Sequence, residues 1–322
     1  MKSFITILFI LLSIGSYAQK KNWEVLQTRN EASPRHENSF VELDGKFYAL
    51  GGRADRPVEE FDPKTKTWKQ LADVPMNFHH FQALAFDGEI YVIGAFTGGY
   101  PHEKPIQNFL IFNPKTNSWR EGPKIPDDRL RGSVGVFSRK GKIYLVCGII
   151  DGHYDGHVSW FDEYDPKTDT WKVLADAPRP RDHFGAVMVG DRAYVAGGRT
   201  SHAAIGKVLD LTTSEVDYYD FKTGTWNTET NGLPTPKGGS SSIGHKEFLV
   251  VMNGESNTQE LSHSEVEVLN TKTGEWMNLP DLNQGRHGTG LIYYKGKLYV
   301  AAGSAKRGGG PELNDIEVLE WK

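Results

Sequence analysis

Apolar and polar positions alternate in short runs along this chain, and the runs recur. Lys46-Phe47-Tyr48-Ala49-Leu50 alternates over one strand length and stops at Gly51-Gly52. The same shape returns at Glu89-Ile90-Tyr91-Val92-Ile93-Gly94, at Lys142-Ile143-Tyr144-Leu145-Val146-Cys147-Gly148 and at Ala193-Tyr194-Val195-Ala196-Gly197-Gly198. It returns again at Leu249-Val250-Val251-Met252-Asn253-Gly254 and at Lys297-Leu298-Tyr299-Val300-Ala301-Ala302-Gly303, which makes six copies. Period-two alternation of this length, closed by small residues, is the mark of a half-buried β-strand. Six equivalent strands are therefore expected.

A second pattern runs in step with the first. Asp62-Pro63-Lys64-Thr65 is followed by Trp68, Asn113-Pro114-Lys115-Thr116 by Trp119, and Asp165-Pro166-Lys167-Thr168 by Trp171. Asp220-Phe221-Lys222-Thr223 then precedes Trp226, and Asn270-Thr271-Lys272-Thr273 precedes Trp276. Asp or Asn followed by Pro suits a type I turn, so each unit reads as a turn leading into an outer strand. The tryptophans fall 51, 52, 55 and 50 residues apart, a period that belongs to repeat architectures.

In these residues the chain resembles the kelch repeat family, whose blades carry a glycine pair after the second strand and a tryptophan opening the fourth. Only Gly51-Gly52 and Gly197-Gly198 keep the full pair. The resemblance implies an all-β fold, a six-bladed kelch β-propeller. Six inner-strand sets are present against five turn-plus-Trp units, and Trp23-Glu24-Val25-Leu26 has the pattern of the missing outer strand. It is expected to complete the last blade and close the ring, leaving no free sheet edge. Residues 19–322 then form a single domain.

Composition narrows the class without altering the fold. The 322 residues include 35 glycines and 8 tryptophans, with a net charge of −4 and one cysteine, Cys147. A glycine share above the usual value of about 7% fits a turn-rich β protein. The balance of charge lacks the basic excess of a nucleic-acid binder, and a single cysteine makes no intramolecular disulfide. Cys147 is expected to be a buried, inert thiol on a strand. Residues 1–18 read as a signal peptide, with Lys2 before an apolar stretch from Phe4 to Ile14 and Ser16-Tyr17-Ala18 as a small-x-small cleavage site. Export follows from this reading, to the periplasm or the medium. No second apolar run would insert in a membrane, and a monomer is expected.

Charge also separates two faces. Ten of the eleven histidines fall at inner-strand starts or in the loops between second and third strands, and only His245 falls at the other end. The arginines follow the histidines, while the repeated turn lysines lie opposite. Arginine offers a planar fork for carboxylate, phosphate or hydroxyl groups, which makes the histidine face the candidate functional one. The resemblance implies that the residues one and two after a basic position at each inner-strand start surround the channel mouth, while the basic residue braces a neighbouring blade. This nominates His36, Glu37, His79, His80, Asp182, His183 and His287, with Arg131 and Arg286 at basic positions. The loops add Arg53, Glu103, Asp151, His153, Arg199, Glu255 and Arg307 as rim candidates.

Three functions are consistent with such a mouth. The first is a site for a small polar ligand, a carbohydrate above all, with Phe78, Phe81, Tyr100, Tyr154 and Trp160 nearby for stacking. Asn253-Gly254-Glu255 is similar to the Asn-Gly-Glu of kelch-type N-acetylneuraminate mutarotases, a resemblance that implies Glu255 as the base for ring opening. The arginine which that family carries a few positions later is absent, Leu261-Ser262-His263 standing there, and Arg286 or Arg307 would substitute. The second is a protein-interaction module without catalysis. The third is a metal-dependent enzyme with His36, His79 and His287 as ligands to a divalent ion; no other cofactor is expected. The tyrosine ligands and tyrosine–cysteine cross-link of the kelch enzyme galactose oxidase have no clear counterpart here. If the signal reading holds, N-terminal sequencing of the exported protein returns Gln19 as the first residue; an intact Met1 on exported protein contradicts it.

Overall fold

The computed structural model describes residues 22–322. The signal segment and its cleavage site after Ala18 lie outside the described residues. Six four-stranded antiparallel sheets follow one another along the chain. The first blade is Asn38–Leu43, Lys46–Gly51, Glu59–Asp62 and Thr67–Gln70, paired in that order. The innermost strands of the other five are Leu84–Phe86, Gly135–Arg139, Gly185–Val189, Ser241–His245 and Leu291–Tyr294. Each inner strand touches the next, and Leu291–Tyr294 returns to Asn38–Leu43, so the ring is closed.

Closure follows the expected route. Glu24–Val25 pairs antiparallel with Ile316–Glu320 as the outermost strand of the sixth blade. The Trp23 indole N–H donates to the Pro280 carbonyl at 2.9 Å, on the blade before it in the ring. Trp171, Trp226 and Trp276 make the same bond to Lys124, Ala175 and Asn231. Trp23 therefore does for the last blade what Trp171, Trp226 and Trp276 do for theirs. The five turns are also built alike, with the Asp or Asn side chain accepting the N–H of the lysine two residues on.

The core is divided into six wedges, each shared by two adjacent blades. Phe137, Tyr144 and Phe161 of the third blade, for example, pack on Phe184, Ala193 and Tyr219 of the fourth. Burial between blades holds the ring together and leaves its axis open. Cys147 is fully buried in one wedge, as expected, and burial pushes its thiol up to about 12.

At five of the six inner-strand entries a buried cation is fastened to the third strand of the same blade. The pairs are Arg35–Glu59, Arg131–Asp162, Arg181–Asp217, Lys237–Glu267 and Arg286–Glu317. All five cations are fully buried. This corrects the expectation that the basic residue braces a neighbouring blade. It also removes Arg131 and Arg286 from the ligand-binding candidates, because their guanidiniums are spent on their own blades and are 0% exposed. The arginines further donate to the carbonyl that ends the second strand, as Arg35 does to Gly51 and Arg181 to Gly197.

The same clamp explains the imperfect glycine pairs. The first position of the pair is left-handed in every blade, yet it tolerates Cys147, Asn253 and Ala302. The second packs on the clamp: a Cβ on Gly148 would lie 2.7 Å from Cγ of Arg131, at φ +116°. The second blade has Phe78 in place of the cation, Leu110 in place of the carboxylate, and Ala95 in place of that glycine. One blade has thus exchanged a buried ion pair for an apolar one. Breaking a buried pair strands the remaining charge, whereas replacing both partners need not. Arg181→Met is accordingly expected to lose about 3–5 kcal/mol in urea unfolding, and Arg181→Phe combined with Asp217→Leu much less than that. Equal losses for the two variants would contradict the account.

Candidate functional site

Two residues beyond each clamp position the chain turns left-handed, at Glu37, His80, Ser133, His183, Gly239 and Gly288, with φ between 51° and 64°. This kink aims the six residues at the axis. They line a neck of about 40 Å³ at the loop end of the channel. Behind the neck, toward the lysine face, the inner strands enclose a wider cavity of about 420 Å³. Gly288 makes room here, since a Cβ on it would come 2.9 Å from Cδ of Glu37.

On one side of the neck a proton is held between two carboxylates. His287 Nε2 lies 3.3 Å from Glu37 and 3.5 Å from Glu255. Ser262 gives its only proton to the Ser304 carbonyl at 2.8 Å, so it accepts from His287 Nδ1 at 3.0 Å. With Nδ1 a donor and Nε2 facing carboxylates, His287 is an imidazolium. Burial works against that charge, but Glu255 and Glu37 outweigh it and raise the pKa. Burial opposes the charge on Glu37 as well, yet its imidazole neighbours hold it well below the usual carboxylate range. Arg199 closes this side, donating to Glu255 at 2.6 Å and to Ser201, which in turn donates to Asp182.

On the other side three histidines meet. The ring centroids of His80, His153 and His183 lie 4.7 to 4.9 Å apart. His153 stands on a short hairpin between Ile149–Asp151 and Asp155–His157, and its Nδ1 faces Glu103 at 2.9 Å. Glu103 comes from the matching loop of the second blade, where Arg53 also binds it at 2.8 Å. Gly152 permits this approach, since a Cβ there would overlap Glu103. His183 Nδ1 bonds Asp182. Burial is the main cause that keeps both His80 and His183 below the usual imidazole range.

The remaining candidates are spread around this centre. His79 is a backing residue, bonded through Nδ1 to His80 at 2.6 Å and through Nε2 to the Gly98 carbonyl at 3.0 Å. His36 lies at the rim with Glu312, which Arg56 shares. Asp151 pairs with exposed His102, and Arg307 reaches the Asn257 carbonyl. The expected metal set of His36, His79 and His287 is therefore not assembled; the histidines brought together are His80, His153 and His183. Glu103, His153, Arg199 and Glu255 are interior residues instead of rim ones. Ser201, Ser262 and Glu312 were not foreseen, because a serine or glutamate in a polar loop carries no signal until its partner is placed beside it. Phe78 is a core residue of the second blade and Trp160 carries the Arg129 guanidinium on its face.

Comparison with known proteins agrees with the architecture. Residues 83–303 match the KLHDC2/KLHL20/DRC7 Kelch-repeats domain, and residues 34–75 match the Kelch motif. The chain belongs to the kelch-repeat family. It is similar to Kelch-like protein terF of Aspergillus terreus, 26% identical over 291 residues, covering 85% of this chain and 62% of that protein. It is also similar to human Kelch-like protein 23, 23% identical over 305 residues, covering 90% of this chain and 51% of that protein. The chain thus spans less than two thirds of these relatives. The solved structure of YjhT superposes with a TM-score of 0.75 at 18% identity, covering 90% of this chain and 95% of that one.

Glu255 provides a test of the site's electrostatics. Burial would raise its pKa, but His287 and Arg199 outweigh burial and hold it at about 2. A folded pKa below the unfolded value of about 4.3 gives stability that is complete above the unfolded value and lost as pH falls toward 2. The stability difference between the parent and Glu255→Gln should therefore shrink from pH 5 down to pH 3 in thermal unfolding. A difference independent of pH would show that Glu255 is not held ionised in this way.

Proposed function

We propose that this kelch propeller is an exported protein that binds a small polar ligand, a carbohydrate by preference, over the loop end of its channel. The carrying observation is the Tyr100 ring, 58% exposed and 5.5 Å from the His153 ring. Next to it Tyr154 packs on His102, and the half-buried Arg53, Arg56, His36 and Glu312 offer donors and an acceptor. Exposed aromatic faces beside fixed polar groups suit a ligand with one apolar face and several hydroxyls.

Proton abstraction by Glu255 fits this geometry less well than binding does. A base works best with a pKa near the working pH, and Glu255 is held at about 2 while Arg199 and the Gly308 N–H occupy its oxygens. These contacts speak against mutarotation by Glu255. Calorimetry against neutral and acidic monosaccharides, N-acetylneuraminate included, should give saturable binding to at least one. Tyr100→Ala should weaken it about tenfold, near 1.4 kcal/mol. Absence of saturable binding across the panel would overturn the reading.

A second reading, a protein-interaction face, is favoured by Ile150, Ile205 and Leu261, which are exposed on the same loops. It fits the kelch relatives of this chain. Ile205→Asp and Leu261→Asp separate the two readings: they should leave sugar binding intact and weaken only a protein complex.

A further inference from the structure

The histidine cluster has an excess of acceptors and no proton to share among them. His79 Nε2 faces a carbonyl, that of Gly98 at 3.0 Å, so it must donate. A neutral His79 then accepts at Nδ1, and the ring opposite, His80, donates from its own Nδ1 across 2.6 Å. His80 Nε2 is thereby left with a bare lone pair. Arg53, which can only donate, approaches that same nitrogen at 3.4 Å, in agreement. Yet the Glu37 carboxylate also lies 3.3 Å from it, two acceptors face to face.

The other two rings repeat the arrangement. His153 Nδ1 is turned to the carboxylate of Glu103, and His183 Nδ1 to that of Asp182. Both rings therefore present Nε2 to the centre, and buried Nε2 of His183 has no hydrogen-bond partner among the described residues. One nitrogen from each of the three rings lies within 4.8 Å of the other two. Burying an acceptor without a donor costs about 1–3 kcal/mol. One orphaned lone pair, that of His183, thus faces imidazole nitrogens of His80 and His153, with a Glu37 oxygen beside His80, and a cation between the rings would satisfy it.

We propose that His80, His153 and His183 bind a divalent transition-metal ion of the zinc class at the axis of the propeller, with Glu37 beside the open coordination position. Neutral imidazoles are the ligand form such ions require. Each ring is also oriented from behind, two by carboxylates and one by a histidine bonded to a carbonyl, as metal-ligating histidines commonly are. Metal–nitrogen bonds of about 2.0–2.1 Å place tetrahedral ligands about 3.4 Å apart, so the rings draw inward on binding. The site does not depend on the carbohydrate reading, because metal content is measured with no ligand added.

The test uses the full exported chain, stripped with EDTA and then dialysed against Zn²⁺ or Co²⁺. Elemental analysis should give about one equivalent per chain, and Co²⁺ should give the visible absorption of a histidine-ligated ion. His183→Gln and His153→Gln should each lower Zn²⁺ affinity more than about tenfold, whereas His245→Gln, on the opposite face, should not. His153 stands on a surface hairpin outside the six blade sheets, so its variant reports on the metal even if His183→Gln fails to fold. Uptake below about 0.1 equivalent by the stripped protein, or parent-like Zn²⁺ affinity in His153→Gln, would overturn the proposal.

Discussion

The structure depends on one repeated constraint: the start of each inner strand must be fixed to its own blade while the chain bends left-handed toward the axis. A buried cation does the fixing in five blades, by a carboxylate on the third strand and, for the arginines, carbonyls at the end of the second. Two residues later the backbone sits near φ +55°, a conformation that costs most non-glycine residues about 1 kcal/mol or more. The clamp makes that conformation sustainable. It also decides what lies at the centre, because whatever occupies the bent position points into the neck.

The second blade shows what the clamp requires and what it does not. There Phe78 and Leu110 stand where an ion pair stands elsewhere, and the glycine that makes way for the cation has become Ala95. The changes belong together, since a lone charge would be stranded if only one partner of the pair were replaced and the Ala95 Cβ stands where a clamp cation would pack. A buried ion pair is therefore one solution to holding the strand entry, and an apolar contact of similar volume is another. The cations at these positions belong to the architecture, and the ligand chemistry begins only beyond them.

Around the axis the electrostatics divide into two halves. His287 is protonated between Glu37 and Glu255, and Arg199 closes the network behind Glu255. His80, His153 and His183 are aligned by groups at their backs and face one another across the neck. The first half is satisfied by its own protons, whereas the second is short of them. That imbalance distinguishes a site from a merely polar interior. Outside it, Tyr100 and the half-buried charges of the loops form a separate, solvent-facing layer.

The periodicity determined the fold by itself, because a strand that alternates every two residues and a turn that needs Asp or Asn are local requirements, legible wherever they recur. Trp23 was readable as the closing strand because its blade lacked one and its pattern matched the others. Residue type separated the two faces only in part: Arg139 and Arg192 pair with Asp191 and Asp220 among the turn lysines, and Lys237 is a buried clamp at the histidine end. What sequence could not show was how side chains pair across strands and blades. Arg131 and Arg286 looked like ligand-binding arginines until the third strand brought Asp162 and Glu317 against them. His36 and His79 looked equivalent to His80 and His183, yet a one-residue step along a bent backbone takes His36 to the rim and His79 behind His80. His153 and Glu103, 50 residues apart in sequence, meet only because neighbouring loops fold over one another around Gly152. Local rules set the ring, and the closure of the ring decided which of its histidines face one another.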